Sequence, residues 1–129
     1  MMENDNAKML GLTIDPIKGR IMISRNTLEV LDYPEYFRFM LNEKKKRLAI
    51  QTCLMSNPGA EKLPEIENGD CCYVHSSDLV RYIYKICKWN PIYSNRVNGI
   101  YYSKIMTVEY DLNDACELHF RTDYDNNQG

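Results

Sequence analysis

The sequence predicts an α+β fold made of two tandem β-α-β-β halves with two short helices. Three observations support this prediction. The stretch from Gly19 to Cys53 reads as a strand, a serine-capped helix and a β-hairpin; a similar order returns after residue 70; and a stretch rich in proline, glycine and acidic residues separates the two. We therefore predict a first half at 1–55, a linker at 56–70, a second half at 71–112 and a polar tail at 113–129, together forming one compact unit.

The first half begins with two short apolar runs. A weak alternation from Met9 to Ile14 predicts a strand that Asp15-Pro16 ends, and the β-branched run from Arg20 to Ile23 predicts another. Ser24 is placed to cap a helix covering Arg25 to Leu31. Asp32-Tyr33-Pro34 is expected to end that helix, because a residue before proline disfavours helical geometry.

A β-hairpin is predicted next. From Tyr36 to Leu41 the chain alternates, with aromatic and aliphatic residues at every second position, and a second strand returns from Leu48 to Thr52. The charged turn between them contains the run Lys44-Lys45-Lys46-Arg47. This run fits either a nucleic-acid contact or a solvated turn, and from the sequence we favour the solvated turn.

The second half repeats this order less clearly. Cys71 to Val74 predicts a strand, and Ser76 or Ser77 is placed to cap a helix from Asp78 to Lys88. Trp89-Asn90-Pro91 resembles the helix stop of the first half. Two strands, Tyr93 to Val97 and Ile100 to Leu112, are predicted around an Asn98-Gly99 turn, since Asn-Gly is a strong hairpin signal.

Composition limits the classes of protein to consider. The 129 residues carry a net charge of −2, and 44% are hydrophobic, which suffices for a core. Residues 1–60 hold nine basic and seven acidic residues, and residues 61–129 hold seven and eleven, so neither half is a strong polyanion binder by charge alone. The odd number of cysteines, five, and the absence of a signal-peptide pattern predict a cytoplasmic protein with reduced thiols and no membrane span.

The sequence offers little for catalysis or metal binding. Two C-x-x-H pairs, Cys72 with His75 and Cys116 with His119, provide ligands of the kind that zinc takes. On a strand, however, residues three apart lie on opposite faces, so each pair would need a turn to converge. No phosphate-binding glycine loop or metalloprotease motif is present. We therefore expect no cofactor, no metal and no enzymatic activity.

The stretch from Ile14 to Cys53 resembles the AbrB-like swapped-hairpin DNA-binding domain of bacterial transition-state regulators and antitoxins. Asp15 with Lys18-Gly19-Arg20, the strand Ile21 to Ser24, the helix end Leu28 to Asp32 and the following hairpin occupy the places of that family's motifs. Ser24 stands where proline is usual, and Asp32 where glycine is usual. The resemblance implies a swapped-hairpin, pseudo-dimeric β-barrel formed by one chain if residues 71–112 are a diverged second copy, with a homodimer as the alternative.

The resemblance also implies a function, that of a small DNA-binding transcriptional regulator or antitoxin-like protein. Its phosphate-contacting candidates are Lys18, Arg20 and Arg25, which should lie on one exposed face without intervening carboxylates. The second helix adds a basic stripe at Arg81, Lys85 and Lys88, spaced i, i+4 and i+7. Ordinary surface charges are the alternative for Arg20 and Arg25, and a solvated face is the favoured interpretation of the helix stripe. The competing function is a protein–protein interaction module on the same scaffold, without DNA binding.

Overall fold

The computed structural model describes residues 9–66 and 71–119. The protein has a mixed α+β fold in which a curled antiparallel sheet forms a half-barrel that carries two short helices. The elements are β1 (Gly11–Asp15), β2 (Arg20–Ile23), α1 (Arg25–Val30), β3 (Tyr36–Asn42), β4 (Arg47–Thr52), β5 (Glu61–Lys62), β6 (Cys72–His75), α2 (Ser77–Cys87), β7 (Asn95–Tyr102), β8 (Thr107–Asp111) and β9 (Cys116–Glu117).

The local predictions for the first half are confirmed to within one or two residues. The strand Arg20–Ile23 has the predicted bounds, and the Ser24 hydroxyl accepts a hydrogen bond from the Thr27 amide at the start of α1. The β3–β4 hairpin places Phe37 on the buried face and Met40 on the exposed face, as the alternation predicted.

Both helices end in residues with left-handed backbone geometry. Asp32 (φ 59°) and Tyr33 (φ 45°) follow α1, and Lys88 (φ 57°) follows α2. The Tyr33 amide bonds the Leu28 carbonyl at 2.9 Å, and the Trp89 amide bonds the Tyr84 carbonyl at 3.0 Å. These bonds satisfy carbonyls that the helix end would leave without a partner. Each helix is therefore ended by a left-handed turn, and the proline of the following segment, Pro34 or Pro91, comes after that turn.

The described strands form one hydrogen-bonded path in the order β5-β3-β4-β8-β7-β1-β2-β6, and β9 also pairs with β7. The strands that precede the two helices pair with each other: β2 lies antiparallel to β6, with Ile21 opposite Val74. The second strand of each hairpin, β4 or β8, also pairs with the other, and Ile50 of β4 lies opposite Val108 of β8. Strands of the first half therefore pair with strands of the second half at three places along the path: β4 with β8, β1 with β7, and β2 with β6.

The predicted Asn98-Gly99 turn is wrong. β7 runs through both residues as a continuous strand, and the chain reverses instead at a 3₁₀ turn, Ser103–Ile105, that ends at Met106 with φ 48°. Residues 95–98 of β7 pair with β1, whereas residues 99–102 pair with β8. Gly99 is required by packing at this change of partner, because a Cβ there would lie 2.5 Å from Val108 Cγ1.

Two segments assigned to the linker and the tail contribute strands. Within the predicted linker, β5 pairs with β3, and Phe37 lies opposite Glu61. Within the predicted polar tail, β9 pairs with β7, placing Arg96 opposite Cys116. Two-residue strands leave no readable alternation, so the sequence pattern could not reveal them. Residues 67–70 of the predicted linker and residues 120–129 of the predicted tail lie outside the described residues.

The core joins one face of the sheet to the buried faces of both helices. Thr27 links α1 to both halves, since its Oγ1 lies 3.3 Å from the Gly11 carbonyl oxygen and 3.5 Å from Tyr110 Oη. Burial raises the pKa of Tyr110, so the phenol stays neutral in the folded protein. The largest buried side chains are Tyr110, Phe37, Leu12, Ile14, Ile21, Ile23, Leu28, Leu31, Leu48, Ile50, Ile83 and Leu112.

Within the described part of the chain, neither helix has the length and apolar character needed to cross a bilayer.

Candidate polyanion-binding surface

The amphipathic pattern of α2 determines which of its side chains reach solvent. Val80 and Ile83 are buried against the sheet, and the Tyr84 hydroxyl donates to the Tyr93 carbonyl at 2.6 Å. Burial raises the pKa of Tyr84 to about 12. The opposite face exposes the predicted stripe of Arg81, Lys85 and Lys88.

The β3–β4 turn is held in place by residues of the second half. The Asn42 side-chain oxygen accepts from the Lys45 amide at 2.9 Å, and Lys46 adopts φ 56°. The Lys46 carbonyl accepts from the Leu112 amide at 2.9 Å, at the start of a 3₁₀ turn that follows β8. This cross-half bond fixes the lysine-rich turn beside the rest of the molecule.

The turn and the C-terminal end of α2 meet around one depression of about 560 Å³. We call Lys44, Lys46, Lys85 and Lys88, which line it, the lysine cluster. Glu43 is the acidic residue of the lining, so four positive charges and one negative charge give a local net charge of +3. That surface contrasts with the −2 of the whole chain.

Tyr82 and Glu43 connect the two sides of the lysine cluster. The Tyr82 hydroxyl of α2 donates a hydrogen bond to the Glu43 carboxylate of the turn. That bond, with smaller contributions from desolvation and from the Glu43 charge, raises the pKa of Tyr82. Burial raises the pKa of the Cys87 thiol, and the Lys46 charge offsets part of that rise.

The four ammonium groups of the lysine cluster form no ion pair with any described residue, whereas several arginines do. Four like charges held together repel one another, and a polyanion would relieve that repulsion. Lysines near a helix C-terminus also interact favourably with the helix dipole, which accounts for Lys85 and Lys88 but not for the lysines of the turn. The helix dipole therefore does not explain why the β3–β4 turn and the C-terminal end of α2 bring their lysines to the same depression.

Two of the predicted phosphate-contacting residues, Arg20 and Arg25, are engaged by carboxylates. Arg20 Nε lies 3.6 Å from Asp15 Oδ2, and the Arg20 guanidinium carbon lies 4.1 Å from the centre of the Tyr73 ring. Arg25 Nε lies 3.5 Å from Glu29 Oε2. The expectation that Lys18, Arg20 and Arg25 share an exposed face free of carboxylates is therefore wrong for both arginines.

Lys18 and Arg81 lie together in a separate place. Both line a small depression of about 290 Å³ beside Gly19 and Ser77, and Arg81 also lies 3.2 Å from Asp78 Oδ1. Lys18 faces a second, larger cleft as well, together with Arg20. The structure thus divides the six predicted DNA-binding residues into three places: Lys18 with Arg20 and Arg81, Lys85 with Lys88, and Arg25 with Glu29.

The C-x-x-H pairs do not form a shared cluster. Cys72 is fully buried, which raises its pKa to about 11, whereas His75 is exposed on the other face of β6. His119 Nε2 instead lies 2.7 Å from Glu117 Oε1. Among residues 9–66 and 71–119, no group of three histidine, cysteine or acidic side chains is arranged to hold a metal ion.

Comparisons of the chain with protein-family models, curated proteins and solved structures find no match.

Sequence reasoning missed the two turn lysines of the cluster. Lys44 and Lys46 belong to a basic run for which the sequence favours a solvated turn, and nothing in the local pattern links them to Lys85 and Lys88. The link depends on pairing between β4 and β8, which are more than fifty residues apart in the chain. The usable signal was the coincidence of two basic segments, one in each half.

Proposed function

We propose that this protein is a small DNA-binding regulator or antitoxin-like protein whose lysine cluster contacts the phosphate backbone. The observation that carries the proposal is the convergence of Lys44 and Lys46 with Lys85 and Lys88, without ion pairs to described residues. Lysine is a compact point charge suited to phosphate contact. These contacts would position the protein on a duplex and would not read its sequence.

The strand pairings support a swapped-hairpin arrangement of two related halves. When β1–β4 are matched in order with β5–β8, the β3–β4 pair corresponds to the β7–β8 pair. The β1–β7 pair likewise corresponds to the β5–β3 pair. The β2–β6 and β4–β8 pairs each join a strand to its own match in the other half. In the proposed arrangement, one chain supplies both copies of the unit, and the lysine cluster combines one basic segment from each half.

Phosphate binding by the lysine cluster predicts a steep dependence on salt. For B-DNA, the slope of log K against log salt is about −0.9 for each phosphate neutralised. Four lysine contacts therefore give a slope of about −3.6, so that affinity falls roughly a hundredfold between 50 and 200 mM salt. Fluorescence anisotropy with a labelled mixed-sequence duplex of about twenty base pairs would measure both the affinity and the slope.

The variant Lys85→Glu/Lys88→Glu tests the assignment of this surface. We expect its slope to be smaller by about 1.8, because two phosphate contacts are removed. Lys62→Glu/Lys104→Glu makes the same change in net charge at exposed positions outside the lysine cluster and is the matched control. Equal losses in both double variants would show that only overall charge matters. No measurable duplex binding at 50 mM salt would refute the DNA-binding function and favour the protein-interaction alternative.

A further inference from the structure

A second cleft, of about 830 Å³, lies on the outer face of the sheet, away from the lysine cluster. Its floor includes Thr13 and Asp15 of β1 and Arg20 of β2, whose side chains point away from the core. The β1–β2 turn forms one wall, and the segments around Tyr93 and His119 form the other. Its volume is in the range of specific binding sites.

Large apolar side chains line this cleft and remain in contact with solvent. Ile17 is 71% exposed, Ile92 is 62% exposed and Leu118 is 39% exposed. The Tyr93 and His119 rings pack against each other beside them, with 4.0 Å between the ring centres. Covering these groups would remove apolar surface from water at roughly 25 cal/mol per Å². The cleft therefore favours a ligand with apolar groups on both sides of its centre.

Most charged groups of the cleft already have partners. Asp15 Oδ1 accepts from the Ile17 amide at 2.9 Å and the Lys18 amide at 3.1 Å, and Asp15 Oδ2 faces Arg20. His119 is bonded to Glu117. Gly19, with φ 62°, completes the turn that presents Lys18 at the cleft wall. Asp15, the acidic residue of the cleft lining, is thus occupied by internal contacts.

Lys18 is the cleft-lining cation that forms no ion pair within the described residues. A carboxylate that entered the cleft would find this ammonium group without having to displace an existing partner. The apolar walls would exclude water around the pair and strengthen it. Charge and hydrophobicity together define a ligand in which a carboxylate lies between apolar groups.

We infer that this cleft binds an extended segment of a partner protein in which an acidic residue is flanked by large aliphatic or aromatic residues. The acidic side chain pairs with Lys18, and the flanking residues cover Ile17 on one wall and Ile92 with Leu118 on the other. This inference does not depend on the proposed DNA binding, because the lysine cluster shares no lining residue with the cleft.

Selection from a displayed library of random heptapeptides on the immobilised full chain tests this inference. We expect enrichment of peptides with an aspartate or glutamate between two large apolar residues. For a synthetic copy of an enriched peptide, Lys18→Glu should weaken binding about tenfold, because the favourable charge pair becomes a repulsion. The same variant should regain affinity for a peptide in which the acidic residue is replaced by lysine.

The double variant Ile17→Ser/Ile92→Ser tests the apolar walls and should also weaken peptide binding. Both positions are strongly exposed, so this variant should fold, which circular dichroism would check. Lys104→Glu, on the 3₁₀ turn after β7, is the control for Lys18→Glu and should leave binding unchanged. Absence of any enriched motif, or peptide binding that is unaffected by Lys18→Glu and by the serine variant, would overturn the inference.

Discussion

Replacing Gly99 by alanine is expected to destabilise the protein by about 1–3 kcal/mol. A Cβ at this position would lie 2.5 Å from Val108 Cγ1 and 2.7 Å from Tyr110 Cε2. Both neighbours are buried in β8, so neither can move without disturbing the core. A glycine-to-alanine change otherwise stabilises a folded chain by roughly 0.4–1 kcal/mol through the unfolded state, and here the collision should outweigh that gain.

Urea denaturation followed by circular dichroism would measure the difference in the free energy of unfolding. Asn98→Ala, at the neighbouring exposed position of β7, is the control and should change stability by less than about 0.5 kcal/mol. The loss in Gly99→Ala/Val108→Ala should be smaller than the sum of the two single losses, since Val108→Ala removes one of the colliding atoms. If Gly99→Ala were as stable as the parent protein, the close approach of β7 to β8 would be wrong.

Phe37→Ala should have the largest effect of any single substitution considered, a loss of about 3–5 kcal/mol. Phe37 is completely buried in β3 and packs edge-to-face on Phe39, with 5.3 Å between the ring centres. The loss is comparable with the total stability of many small domains, roughly 5–15 kcal/mol. We therefore expect a marked decrease in the midpoint of thermal unfolding, measured by scanning calorimetry.

Met40→Ala is the matched control for Phe37→Ala because Met40 lies on the same strand with its side chain on the outer face. Met40 is 37% exposed, so its truncation should cost much less than that of Phe37. Similar losses at both positions would contradict the assignment of the buried and exposed faces of β3. A larger loss for Met40→Ala would place the core on the other side of the hairpin.

Local signals in the sequence predicted the first half well. The β3–β4 hairpin has one buried face, and its strict alternation identifies both the strands and their orientation. Ser24 marked the start of α1, where its hydroxyl accepts the Thr27 amide. These features depend on neighbours within a few positions along the chain, which is the information that a single sequence contains.

The Asn98-Gly99 segment shows where such signals fail. Asn-Gly favours a tight turn because both residues tolerate positive φ. In this protein Gly99 is instead needed because Val108 and Tyr110 approach its backbone, and this tertiary contact overrides the local preference. The chain turns at Met106, which adopts φ 48° without being glycine or asparagine. Neither the strand position of Gly99 nor the turn at Met106 could have been predicted without knowledge of β8.

The candidate site was predictable only in part. The sequence placed Lys85 and Lys88 on the exposed face of α2, because the apolar period defines the opposite face. It could not show that Asp15 and Glu29 engage Arg20 and Arg25, since a carboxylate four or five positions away is equally compatible with solvent exposure. The meeting of the α2 lysines with Lys44 and Lys46 depends on long-range strand pairing.

The most direct test of the proposed DNA-binding surface is an NMR titration of the ¹⁵N-labelled protein with a mixed-sequence duplex at low salt. We expect the amide shifts to concentrate at residues 43–46 and 85–88 and to diminish as salt is added. Shifts that cluster instead around Lys18, Arg20 and Arg25, or a spectrum that the duplex leaves unchanged, would contradict this expectation.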